Sequence, residues 1–514
     1  MAPLTRGRGL ALLMVALAGA RASAQQSASH GTSPLGRACC LAPTATWPPS
    51  RDTLPTLERE GNPAGLTTRD SGATRLLEVA LHRTAGTLQR PQEARAQQEG
   101  ALHAEGGRLL GGWRTAGLVR YARRHDRDVR WNNSSDAYLG TPYVWADSIG
   151  GDWLRDLVSL GATIATPSWR RMSAGVRLEY GVGQGARRNG PRPLFRRRVL
   201  DLVPGVRWQL TPRQQIGLHG RVGWESEESE IGGAGSPDDP VIFRLRGLGT
   251  FDRTQLISAE RALLGRRHEG TVSHAWRSTQ WATSASATAR LVRDSVRDGI
   301  GRPTPGGSSR RLRGDGQFAV RRVVPRGGAQ LDARVTRESA RGSDPSFGAV
   351  NVIDQATSMA VRWQRWRGAA PDDATRWWQV HAGASTLSRR DVVAETAWRV
   401  AAPEAGAAVL SRLGGGGTLR GWLVGASMGR RFVTDTNWRA DRPTRLTPVL
   451  VRPDFAVHAT PQWHGGVRLG YEWRSAGLRT RVLAEVARTT RATDAPAFAT
   501  LGSRTVMQVT YSVF

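Results

Sequence analysis

Lysine is absent from the chain, so all 73 of its basic residues are arginine. That excludes a phosphate loop of the Walker type, which needs a lysine. Cysteine is nearly absent. Cys39 and Cys40 stand side by side, and an adjacent pair can close only a strained ring, so there is no disulfide framework. Beyond the N-terminus there is no run of about 20 apolar residues, which argues against a helical membrane protein. Mean hydropathy is only −0.41. That average does not exclude a membrane barrel, whose lipid-facing residues alternate with polar lumen residues.

The chain carries a net charge of +30 over 514 residues. Such a length suits several ordinary domains or one large barrel. The arginines are scattered rather than clustered on one module, which speaks against nucleic-acid binding. Besides composition bias, they point to an electropositive lumen or to a surface that meets anionic lipid headgroups.

Residues 1–24 read as a signal peptide. Arg6 and Arg8 form a positive start, Leu10 to Ala20 an apolar run, and Ala22-Ser23-Ala24 a small-x-small cleavage site, leaving Gln25 as the mature start. Export places the protein in the cell outer membrane if the rest is a barrel. Residues 25–74, rich in Ser, Thr, Pro and Ala, read as a flexible periplasmic or plug segment.

From about residue 75 the pattern has period two. Val158, Leu160, Ala162 and Ile164 alternate with polar or small residues, and Thr166-Pro167-Ser168 turns the chain. Met172, Ala174, Val176, Leu178, Tyr180 and Val182 then share one face on the return. Leu200, Leu202, Val206, Trp208 and Leu210 repeat the pattern around Pro204, which should mark a bulge or an unpaired position. Alternation over ten or more residues is longer than a soluble strand sustains. Tight turns alternate with long polar segments at 125–156, 183–197, 225–240, 294–310, 341–354, 433–453 and 489–502, as short periplasmic turns alternate with long outer loops. The expected fold is all-β: a transmembrane antiparallel up-and-down barrel over 75–514 with an even strand number of 16–20, and 18 as the best count.

Tryptophan is frequent, at 19 residues. Trp113, Trp131, Trp169, Trp208, Trp224, Trp276, Trp281, Trp377, Trp378 and Trp473 fall near strand ends, as an interfacial girdle would place them. The chain ends in Phe514, like outer-membrane barrels, although Met507, Val509, Tyr511 and Val513 are one residue out of phase with it.

Two segments resemble an uncharacterised outer-membrane β-barrel family. One is Ala146-Asp147-Ser148-Ile149-Gly150-Gly151-Asp152-Trp153. The other runs from Tyr180-Gly181-Val182-Gly183 through Gly185-Ala186-Arg187-Arg188 to Pro191-Arg192-Pro193, with Gly190 where an acidic residue would be expected. The resemblance implies a barrel and no established activity. Gly61-Asn62-Pro63-Ala64-Gly65-Leu66 is similar to the N-terminal motif of outer-membrane long-chain fatty-acid transporters. That likeness would make Asn62, Pro63 and Ala64 a plug motif.

Enzymatic signals are weak. Gly425-Ala426-Ser427-Met428-Gly429 fits the nucleophile-elbow pattern, but that chemistry needs a strand–turn–helix, and here Ser427 reads as a strand residue. Asp147-Ser148 lacks an Asp-x-x-His partner near the end. His219, His274, His381, His458 and His464 show no metal-ligand spacing. Glu225, Glu227, Glu228 and Glu230 could offer oxygens to Ca²⁺, but read better as a solvated loop. The expected protein is therefore no enzyme, with no cofactor, metal or nucleic acid. It is a pore or transporter for small solutes, anions among them. Arg177, Arg207 and Arg221 should face the lumen and favour anions. Glu179, Asp201 and Glu225 on the same faces could instead neutralise them and give a closed structural or secretion-associated barrel. A barrel hydrolase is a distant alternative. The expected partners are outer-membrane lipid, the barrel-assembly machinery and a small solute.

Overall fold

The computed structural model describes residues 61–68, 74–138, 141–188, 192–232, 241–254, 258–299, 302–368, 374–414, 420–475, 478–492 and 501–514. The cleavage site, Cys39, Cys40 and most of segment 25–74 lie outside the described residues.

Eighteen antiparallel staves form a closed barrel. They follow chain order, each bonded to the next, from Thr74–Gly86 to Ser503–Val513. Thr74–Gly86 then pairs with Ser503–Val513, with Leu77 opposite Val513 and Gly86 opposite Arg504, and the ring closes. One stave is interrupted. Gly421–Arg431 and Asp435–Ala440 both lie against Thr396–Leu413, the second continuing the line of the first.

The staves form because their alternation suits a wall with two solvents. Val176, Leu178 and Tyr180 point outward and stay exposed, as do Leu200, Leu202 and Trp208. Between them Ser173, Asp201 and Arg207 point inward and are buried. So many large apolar side chains on one continuous outer surface need lipid against them. The staves run longer than the apolar alternation alone suggests. Thr304–Val324 has 21 residues and Ser258–Arg277 has 20. Their loop-end portions are polar, because they stand beyond the hydrocarbon, and polar strand ends read as loops in sequence. The segments expected to loop at 225–240 and 341–354 are therefore partly stave. Gln214–Gly232 runs through the whole acidic cluster Glu225 to Glu230, and Pro345 to Gly348 alone turns between Gly327–Asp344 and Ala349–Arg367.

Pro204 marks an unpaired position, not a bulge. Leu202 pairs with Val222 and Gly205 with His219 in one unshifted register, while Val203 and Pro204 have no partner in Gln214–Gly232. Bulges occur elsewhere, as between Val296 and Arg297.

The tryptophans divide between lipid and interior. Trp113, Trp169, Trp208, Trp224, Trp281 and Trp378 are exposed on the outer wall. Trp377 is buried instead, packed inside with Trp366, Leu410 and Leu423. Trp131 packs inside the loop end against Phe243. Periodicity marks a strand end but does not tell which way an indole at that end will turn. Phe514 carries Arg481 over its ring at 5.3 Å, while Met507, Val509 and Tyr511 face out.

Candidate functional site

An 18-stranded barrel is wide enough to leave an aqueous channel. Three parts of this chain lie within that width: a cap at the loop end, a charged belt of wall side chains in the middle and, at the tight-turn end, a short turn against one side of the wall.

The cap is built from loops that fold inward. Trp145–Ala146 pairs with Ile242–Leu245, which pairs with Phe251–Thr254. The helix Arg452–Ala459 comes from a third loop. Together they make an apolar core inside the barrel. Val144, Ala146, Leu245, Leu248, Leu446, Leu450 and Val451 meet the stave residues Ala356, Leu387, Trp398 and Val400. Burying that apolar surface drives the loops in.

Buried ion pairs then fix the cap to the wall. Arg187 Nη2 lies 2.5 Å from Asp147 Oδ2, both side chains wholly buried. Asp147 Oδ1 accepts from the Gly150 amide at 3.0 Å, where Gly150 takes a φ of +72° that glycine tolerates. Asp147 and Arg187 belong to the two segments that carry the family resemblance, and here those segments meet. Arg90 Nε lies 2.6 Å from Asp454 Oδ1 on the helix, and Arg389 bridges Asp454 (3.1 Å) to Asp354 (3.1 Å). Burial pushes the Asp454 carboxyl up. Arg90 and Arg389 outweigh it and hold the group well below the usual carboxylate range. Burial holds the His458 imidazole down to about 3, with Arg90, Arg431 and Arg389 opposing its protonation and only Asp454 favouring it. His458 is thus neutral and stacked on Trp398, ring centroids 5.4 Å apart.

The belt holds the residues expected to line the lumen. Arg177, Arg207, Arg221 and Glu179 all face inward, and they are not a bare positive ring. Arg221 Nη1 lies 2.9 Å from Glu179 and 2.8 Å from Asp201. Arg177 lies 3.5 Å from Glu179. Arg207 Nε donates to Ser173 Oγ at 3.3 Å. Glu225, from the acidic cluster, receives Arg197 at 2.7 Å. The pairing continues around the wall through Arg290–Glu269, Arg313–Asp315 and Arg362–Asp332. Between cap and belt lies a small chamber of about 60 Å³, where Arg197, Arg261, Arg267, Arg290, Arg311 and Arg313 face Asp136, Glu225, Glu227, Asp294 and Glu338.

The expected plug motif lies on the turn Pro63–Thr68 and the preceding Asn62, which rest against one side of the inner wall. The Asn62 amide donates to the carbonyls of Val206 (3.0 Å) and Leu218 (3.3 Å), and its Oδ1 accepts from the Ala64 amide at 3.0 Å. Glycines make room for it. A Cβ on Gly205 would fall 2.3 Å from Asn62 Oδ1, and one on Gly175 2.7 Å from the Ala64 nitrogen. Asn62, Pro63 and Ala64 thus sit together on the inner wall beside Pro204. Outside that spot the wall has an apolar hollow of about 430 Å³ lined by Trp113, Ile164, Val176, Pro204 and Leu218.

The remaining candidates stay apart. Ser427 lies within the strand Gly421–Arg431. Its hydroxyl shares a small cavity with His381, His464 and Glu485, but no hydrogen bond among those four groups is present. No cluster of metal-ligating side chains occurs among the described residues. Sequence reasoning missed Arg90, Asp454, Arg389 and the Asp147–Arg187 pair. Only the resemblance segments gave any signal, by containing the last two.

Residues 63–514 match a family of unknown function (DUF6850). No curated protein matches the chain in sequence. Among solved structures the chain is similar to the copper transporter OprC, with 9% identity over 86% of this chain and 82% of that one, at a TM-score of 0.39. It is similar to the ferric preacinetobactin receptor BauA of Acinetobacter baumannii, with 7% identity, 86% and 80% covered, at 0.37. A Pseudomonas aeruginosa FadL homologue gives 9% identity, 88% and 91% covered, at 0.31. Likeness at these scores carries no argument about cargo.

Proposed function

The chain belongs to the family of unknown function DUF6850, which supplies no activity, and from the geometry we propose an outer-membrane transporter for small polar solutes, described here in its closed state. One observation carries this reading. The barrel is wide enough to conduct, and what fills its loop end is inserted loops rather than the wall itself. Inserted segments can move while the wall stays intact. The belt supports a polar cargo, because its paired charges rehydrate easily when a solute passes. Since Glu179, Asp201 and Glu225 neutralise Arg177 and Arg221 and their neighbours, only a weak anion preference is expected.

The test is conductance of the full chain in planar bilayers, against an Asp454→Ala variant that frees the cap helix. The expected result is a nearly silent wild type and a variant with frequent open events. A variant that folds and stays as silent as wild type would leave the non-conducting structural barrel in its place.

A second reading is favoured by the hollow at Pro204. Its apolar lining and the Asn62-Pro63-Ala64 plug behind it suit an apolar solute crossing the wall instead of the mouth. Saturable quenching of Trp113 by a brominated fatty acid, lost in a Gly205→Val variant, would support that route.

A further inference from the structure

On neighbouring staves the inward and outward arginines are treated differently. Inward, Arg267 reaches Asp201 and Glu225, Arg290 reaches Glu269, Arg311 reaches Asp294 and Arg313 reaches Asp315. Outward, the registers place Trp224 opposite Arg266, Arg266 opposite Arg293, Arg293 opposite Arg310 and Arg310 opposite Arg341. All four of these arginines are exposed. None of the four side chains makes a hydrogen bond or ion pair among the described residues. Directly opposed side chains on neighbouring strands have Cβ atoms only about 4.5–5.5 Å apart, and like charges there repel. A row of four unneutralised guanidinium groups therefore calls for anions from outside the chain.

The surroundings say which anion. The row lies in the half of each stave nearer the long loops, above the apolar outer wall of Leu312, Phe318, Leu331 and Val335. It borders a groove of about 890 Å³ whose apolar side is Leu200, Trp224 and Leu264. Guanidinium groups beside an apolar floor match an amphiphile, not a free ion. Strands stand about 4.8 Å apart, so the four arginines span roughly 14 Å. That is wider than one phosphate and suits a headgroup that carries two. Arginine binds phosphate oxygens bidentately, which a lone charge on lipid would not require.

We propose that this outer groove binds a lipid with a multiply phosphorylated headgroup from the leaflet at the loop end. Arg266, Arg293, Arg310 and Arg341 hold the phosphates, and acyl chain lies along Leu200, Trp224 and Leu264. The site is on the lipid face and does not depend on what the lumen carries.

The experiment measures binding to the full detergent-solubilised barrel by native mass spectrometry and by thermal shift. The probes are diphosphorylated lipid A, its dephosphorylated form, phosphatidylcholine and inorganic pyrophosphate. Wild type should retain diphosphorylated lipid A at least ten-fold better than each of the other three. The double variant Arg293→Gln/Arg310→Gln should lose that margin while its melting temperature without lipid is unchanged. Equal retention of dephosphorylated lipid A or phosphatidylcholine would overturn the phosphate assignment, and equal binding of pyrophosphate would overturn the lipid assignment. A double variant that holds lipid A as wild type does would overturn the site. If the double variant does not fold, the wild-type comparison among the four probes still decides the proposal.

Discussion

The two ends of the barrel hold their inserted segments by opposite means. At the loop end three long loops bring their own apolar core and are tied to the wall by buried charges, Asp147 to Arg187 and Asp454 to Arg90 and Arg389. At the tight-turn end one short turn is held by neutral hydrogen bonds from Asn62 and by the close approach that Gly175 and Gly205 permit. The first attachment depends on ionisation, the second on shape. Acid and charge substitutions should therefore act on the cap and spare the plug, and added volume should do the reverse.

The largest effect should come from Asp147→Ala. Removing one member of a fully buried pair leaves Arg187 short of its carboxylate, at a cost of about 3–5 kcal/mol. Hydrogen exchange should rise through residues 131–147 and stay unchanged at 62–68. Equal loss of protection at both ends would break the distinction.

Gly205→Ala should act on the other end. The added methyl overlaps Asn62 Oδ1, and relief of such overpacking costs about 1–3 kcal/mol. The expected outcome is proteolytic cleavage near residues 61–68 with the cap still protected. A variant whose plug resists protease as wild type does would show that shape does not hold it.

Acidification sharpens the same contrast. His458 is held at about 3, below its unfolded value of 6.5, so the unfolded loop binds the proton more readily. Its contribution is present above about pH 6.5 and is lost as pH falls toward 3. Asp454 is also held low, and its contribution fades only below the ordinary carboxylate range. Both signs loosen the cap in acid. Conductance should rise as pH falls from neutral toward 4, and the low-pH component should shrink in His458→Gln. A flat profile would remove ionisation from the account of the cap.

The smallest effect is expected from Asn62→Ala. It deletes neutral hydrogen bonds worth about 0.5–1.5 kcal/mol each, and should raise exchange at 62–68 without altering the pH profile.

The wall was largely readable from the sequence and its contents were not. Val176, Leu178 and Tyr180 announce a lipid face because lipid imposes period two on every stave. The acidic cluster at Glu225 to Glu230 misled, since a strand that leaves the hydrocarbon loses its apolar alternation and resembles a loop. Arg177 and Arg221 could be placed on the inward face from parity alone. That Arg221 meets both Glu179 and Asp201 required the register of three staves. Asp454 could not be found at all: its partners Arg90 and Arg389 are distant in sequence, and the helix that carries it has no amphipathic pattern of its own. Trp377 shows the same limit, since its place at a strand end did not reveal that it turns inward.

The seam between Thr74–Gly86 and Ser503–Val513 fixes an order of events. Ser512 Oγ donates to Glu78 across 434 residues of chain, so the first stave has no permanent partner on that side until the last one exists. Until then it presents an open edge of unpaired amides and carbonyls, the kind of edge that recruits stray strands. Loop closure over such a length is slow compared with forming any neighbouring hairpin. The seam is therefore the last pairing to form, and the exposure of that first edge, more than any single contact, sets how fast the chain becomes a closed barrel.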